Sequence, residues 1–80
     1  MSERLKFEGR LHQKELAARE QRLRMHGLLK SIRNLLDPFE SLVDIEAELA
    51  AAQAVELAGL QAEYRGLLAE IREIKKALGR

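Results

Sequence analysis

Eighty residues suffice for one small domain, and chains this short bury so little surface that they often depend on disulfides, metal ions or association with other chains. It has no cysteine, which excludes disulfides, thiol catalysis and cysteine-ligated zinc and fits a reducing compartment. Charged residues make up 34% and aromatics 4%, the mixture of long helices, and the net charge of +1 conceals opposite halves: nine Lys/Arg against four Asp/Glu in residues 1–36, five against nine in residues 37–80.

The first element is predicted as a helix over residues 3–36. Leu11, Ala18, Met25, Ile32 and Phe39 recur every seven, with Phe7, Leu28 and Leu35 at the alternate positions. Lys14 and Gln21 interrupt this stripe, so it is strongest from Met25 onward. Leu5, Leu16 and Leu23 lie off it. No apolar run approaches the length of a membrane span, and Arg4, Lys6 and Glu8 are not followed by an apolar signal core. The expectation is a soluble, unprocessed, cytoplasmic chain with no membrane contact.

The stretch "NLLDPFES", residues 34–41, holds the only proline. Proline disfavours the helical conformation at Asp37, which ends the first helix near Leu36. Asp37 is a good N-cap, Pro38 suits the first helical position, and Glu40 completes a capping box with Asp37. Ser41 with Asp44 gives a second, overlapping start. A stop followed by two starts predicts a turn at residues 37–41, with a second helix beginning at 38 or 42 and running to 78.

In that second helix Leu57, Leu60, Tyr64, Leu67, Ile71, Ile74 and Leu78 step by three and four without a break. Before Leu57 the pattern Leu42, Ile45, Leu49 and Ala52 is out of phase with it, which reads as a stutter. Ala58, Gly59, Ala62, Gly66 and Ala69 form a small-residue face beside the main stripe, of the kind that lets helices approach closely.

Two long helices joined by a turn predict an all-α fold, an antiparallel helical hairpin of coiled-coil character spanning residues 1–80 as a single domain. Folding back around residues 37–39 places opposite each other residues whose numbers sum to about 78. Met25, Leu28, Leu29 and Ile32 then face the alanine-rich residues 47–54, and Leu57, Leu60 and Tyr64 face Ala17, Ala18 and Gln21, so large meets small. The same register brings Arg19, Arg22, Lys30 and Arg33 near Glu46, Glu48 and Glu56. A hairpin gives each helix one neighbour. The apolar positions left over, Leu5, Leu16 and Leu23 on one arm and Ala58, Gly59, Ala62, Gly66 and Ala69 on the other, are therefore candidates for a further interface, most simply a homodimer forming a four-helix bundle.

Chemistry is sparse. His12 and His26 stand two heptads apart, roughly 21 Å along a helix at about 1.5 Å per residue, too far to chelate one ion. Ser2, Ser31 and Ser41 have no evident base, and the glycines are isolated instead of forming a phosphate loop. The expectation is no catalytic residue, no metal, no cofactor and no enzymatic activity. Arg19, Arg22, Arg24, Lys30 and Arg33 on one helix offer an alternative, contact with nucleic-acid phosphates. Against it, these bases are read as wrapping around the helix, and aromatics for stacking are nearly absent.

The run "LHQKELAARE", the turn "LLDPFE" and the ending "EIREIKKALGR" together resemble small helical accessory proteins of Mu-like transposable phages. That resemblance implies a protein at work in the cytoplasm of a bacterial host and brings no site residues with it. Taken together, the expectation is a self-associating, non-enzymatic module that binds another protein, in one form a phage-encoded modulator or inhibitor of a host factor. The alternatives are a nucleic-acid-associated protein and a structural spacer or assembly subunit.

Overall fold

A computed structural model describes residues 2–80 as two α-helices with, among the described residues, no strand. Helix α1 (Glu3–Leu35) and helix α2 (Ala47–Ala77) run side by side, giving an all-α helical hairpin 62 Å long and 18 by 15 Å across. Each arm accounts for about 50 Å at about 1.5 Å per residue. The connection adds the remainder at one end.

Local signals set the four helix ends. Ser2 caps α1, its hydroxyl accepting the Leu5 N–H at 3.3 Å, and Glu3 places a carboxylate in the first turn. At the far end the Leu36 N–H closes on the Ile32 carbonyl before Pro38 forbids continuation. Helix α2 ends in a paired-bond cap: Gly79 takes a φ of 77°, its N–H reaches the Lys76 carbonyl and the Arg80 N–H reaches the Lys75 carbonyl at 2.8 Å. Only glycine adopts that left-handed geometry without strain.

The start of α2 differs from expectation. Neither start signal nucleates a helix, and the connection covers residues 36–46 instead of 37–41. The Asp37 carboxylate accepts the Phe39 N–H at 2.9 Å, while the Glu40 N–H goes to the Asp37 carbonyl, so the capping box is replaced by a tight turn. Ser41 repeats the pattern, its hydroxyl accepting the Val43 N–H and its carbonyl the Asp44 and Ile45 N–H groups. Val43, Asp44 and Ile45 are weak helix formers, and the single turn stops there. Helix α2 begins where the alanine-rich run begins. Its N-cap, Glu46, makes no side-chain capping bond. Instead the Glu46 N–H donates to the Leu35 carbonyl at 3.3 Å and pins the two arms together.

This longer connection moves the register. Gln21 meets Glu63 and Lys14 meets Glu70, sums of 84 where 78 was expected. Leu57 consequently shares a groove with Met25 and Leu29 instead of facing Gln21, although Leu60 still lies against Ala17 and Gln21.

The inward faces are unbroken heptad stripes on both arms. On α1 every residue of the row Phe7, Leu11, Lys14, Ala18, Gln21, Met25, Leu28, Ile32, Leu35 is buried or half-buried. Lys14 and Gln21 thus belong to the stripe, their aliphatic stems packed inward and their heads bonded to Glu70 and Glu63 at the edge. On α2 the row continues back from Leu57 through Gln53 to Ala50, and Ala50 is fully buried. There is no stutter: Leu42 lies in the connection, and Leu49 and Ala52 point outward. The tightest packing lies at the end of the termini, where Leu11, Ala18, Ile71, Ile74 and Leu78 form the core with Phe7, Tyr64 and Leu67 against it. No described helix is long and apolar enough to cross a membrane.

Candidate interaction surfaces

The two long edges of the hairpin, where α1 and α2 meet, differ in charge. Along one edge Glu56, Glu63 and Glu70, seven residues apart on α2, meet Arg24, Gln21 and Lys14. Along the other, Arg22 donates to the Tyr64 hydroxyl at 3.1 Å, and Lys75 and Arg80 reach Glu15 and Glu8 near the termini. At about 100° per residue, Arg19, His26, Lys30 and Arg33 fall on the same flank as Arg22, spaced three and four apart. All five are exposed, and none makes an ion pair among the described residues.

Of the five bases from Arg19 to Arg33, Arg19, Arg22, Lys30 and Arg33 therefore line one side instead of wrapping around the helix. Arg24 is the exception, lying on the opposite edge in an ion pair with Glu56. The expected pairing of Arg19, Arg22, Lys30 and Arg33 with Glu46, Glu48 and Glu56 does not form, because the shifted register carries those acids past them. Charge complementarity between the arms is also mixed in direction, since two of the cross-arm pairs run from a base of the second arm, Lys75 on α2 or Arg80 just beyond it, to an acid on α1.

A groove follows the cationic flank. One part, about 420 Å³, is lined by Arg22, Met25, His26, Leu29, Leu57, Gln61 and Tyr64. Toward the connection a second part of about 740 Å³ is lined by His26, Leu29, Lys30, Arg33, Asn34, Asp37 and Pro38. His26 and Leu29 belong to both, so the depression is continuous from Tyr64 to Pro38. Toward Tyr64 its floor is apolar, with Met25, Leu29 and Leu57, and toward the connection Lys30 and Arg33 line it together with Asp37. Tyr64 itself packs against the core and offers its hydroxyl to Arg22, not toward Gln21.

The connection carries the most exposed apolar side chains of the described residues. Phe39 is 96% exposed, Val43 90% and Leu42 87%. The heptad arithmetic that placed Phe39 in the α1 stripe runs across Pro38, where the helix has already ended. Around these three stand Asp37, Glu40, Asp44, Glu46 and Glu48, with no base in that stretch. Sequence reasoning missed this apolar tip because a helix begun at residue 38 or 42 turns half of it inward.

The predicted extra faces are exposed, and they point away from each other. Leu5, Leu16 and Leu23 share one line on α1, on the side away from α2. Ala58, Gly59, Ala62, Gly66 and Ala69 lie on the side of α2 away from α1, and a Cβ added at Gly59 or Gly66 would meet nothing within 4 Å. Each face is therefore open to a different neighbour. Among the described residues no group of three or more His, Asp or Glu side chains is placed to hold a metal ion.

Comparison of the chain with protein-family models, with characterised proteins and with solved structures finds no match.

Proposed function

We propose that this hairpin is a non-enzymatic protein-interaction module that self-associates and binds another protein through its connecting end. The observation that carries the reading is the tip: Phe39, Leu42 and Val43, close together in the connection, stand almost fully exposed on a chain whose core gains nothing from them. Contiguous apolar surface rimmed by charge is how interaction sites are built, and an aromatic at the centre is the usual anchor. Asp37, Glu40, Asp44, Glu46 and Glu48 give the rim a sign that selects partners with basic surroundings. The resemblance to accessory proteins of Mu-like phages supports action in a bacterial cytoplasm on a host or phage protein.

The test is capture from bacterial extract with tagged wild type and tagged Phe39→Asp. A stoichiometric partner held by wild type and lost from the variant, with helicity unchanged, is the expected result. A partner retained by Phe39→Asp moves the function off the tip.

One observation favours a second reading. Arg19, Arg22, Lys30 and Arg33, exposed on one flank and without ion pairs among the described residues, suit the phosphates of a nucleic acid. Binding of this kind appears in a mobility-shift assay at low salt and fades steeply as salt is added.

A further inference from the structure

The hairpin leaves two clusters of opposite charge without partners inside the chain. Glu40, Asp44, Glu46 and Glu48 at the tip make no ion pair among the described residues. Neither do Arg19, Lys30 and Arg33 on the cationic flank, and Arg22 donates only to a neutral hydroxyl. Each cluster surrounds apolar surface. Phe39, Leu42 and Val43 project within the acidic one, and Met25, Leu29 and Leu57 floor the groove within the basic one. One is a projection and the other a depression.

We propose that the occupant of the groove is the tip of a second copy of this chain. Phe39 enters beside Leu29 and Leu57 while the tip carboxylates meet Arg22, Lys30 and Arg33. Asp37 and Pro38 line the same depression as Lys30 and Arg33, so the chain leaves α1 across the cationic flank and the tip stands on the groove's side. From His26 to the end of α1 is about 14 Å at about 1.5 Å per residue, with the tip beyond. A two-fold axis between groove and tip seats both tips in both grooves at once, and this closure stops the assembly at a dimer.

Charge and shape favour a second copy over a polyanion. Phosphates would pair with the rim and leave the apolar floor uncovered, whereas the tip brings apolar side chains to the floor together with carboxylates to the rim. The inference rests on the self-association in the interaction-module reading and adds its contact, in which another protein would compete with the second copy for the tip.

Sedimentation equilibrium of the full chain tests it, at tens of micromolar and low salt. Wild type is expected at twice its 9.1 kDa. Phe39→Asp weakens the dimer at least about thirtyfold, as loss of a central anchor does. The decisive arm uses two charge-reversed chains, Glu40→Lys with Asp44→Lys, and Arg22→Glu with Arg33→Glu. Each alone is expected to be monomeric with helicity retained, since its reversed residues meet like charges at the contact, and mixing the two restores opposite charges there and a dimer. Reversed chains that stay monomeric when mixed overturn the proposal, as does a wild-type dimer indifferent to all these changes. A wild-type monomer that shifts duplex DNA at low salt assigns the flank to nucleic acid instead. A wild-type monomer that still loses a captured protein on Phe39→Asp overturns the dimer and leaves the module reading standing.

Discussion

The two ends of the hairpin are built on opposite plans. At the end of the termini no covalent link joins the arms, and there the buried residues concentrate: Leu11, Ile71, Ile74 and Leu78, with Glu8 gripped by Arg80 at 2.8 and 3.1 Å and Glu15 near Lys75. At the other end the chain itself joins the arms. Around it only Ala50 is buried, and of the apolar side chains of the connection Leu36, Phe39, Leu42 and Val43 face outward while Ile45 is half-buried. Closing a short loop is a modest entropic cost, so the connected end holds together with few contacts while the free end needs many. Fewer demands from folding leave the connected end available for recognition.

The sharpest way to break this contrast is to weaken the free end. Ile74→Ala removes a buried side chain from the core and is expected to cost about 2–4 kcal/mol, read as a lower urea midpoint by circular dichroism. In a chain of this size that is a large share of the total stability. A loss below about 1 kcal/mol would mean that the core at the termini is not what holds the arms together.

The α2 cap is the next test at the same end. Gly79→Ala forces a side chain into the left-handed region at φ 77° and is expected to cost about 1 kcal/mol. The cap also aims Arg80 at Glu8, so part of the loss should fade in high salt as that exposed pair is screened. An unchanged midpoint would show that the last turn frays in solution.

How much of this was legible in the sequence differs between the same two ends. From Leu57 to Leu78 the stripe is written in large apolar residues and reads directly as the inward face. Toward the connection it passes through Gln53 and Ala50, and neither type declares its side: alanine packs inward or faces water with equal ease. The false phase of Leu42, Ile45 and Leu49 therefore looked better than the true one. Lys14 and Gln21 look like breaks when residue type is read whole, whereas Lys14 buries its stem and pairs with Glu70 at the edge, and Gln21 buries its Oε1 while its Nε2 donates to Glu63. The stop at Leu36 was legible from Pro38, but the start of α2 was not. Asp37 and Ser41 are equally good at capping helices and at closing turns, and the helix propensity of the next few residues decides between the two. The cationic flank was written in the spacing of Arg19, Arg22, His26, Lys30 and Arg33. It was obscured by Arg24, which points the other way.

Away from both ends, the small-residue face of α2 separates intrinsic helix energetics from packing. Nothing lies within 4 Å of a Cβ built at Gly66, so Gly66→Ala removes only the cost of a glycine inside a helix. The expected gain is about 0.5–1 kcal/mol in the isolated chain, with sedimentation unchanged. If the variant instead dissociates a wild-type dimer, two backbones meet at this face and the tip-and-groove contact is not the one used.

The smallest expected effect on stability is the one that gives the comparison its meaning. Leu42 at the tip is as apolar as Leu78 in the core, yet Leu42 is almost wholly exposed while Leu78 is buried. Leu42→Ser should shift the urea midpoint by less than about 0.5 kcal/mol when measured at submicromolar concentration, where association does not contribute. At tens of micromolar the same substitution should lower apparent stability, because it removes apolar surface from a contact made only by the associated chain. The difference between the two concentrations isolates what Leu42 does for binding from what it does for folding. A loss of about 1 kcal/mol or more in the dilute sample would place Leu42 against the arms in solution, and the connecting end would then belong to the core.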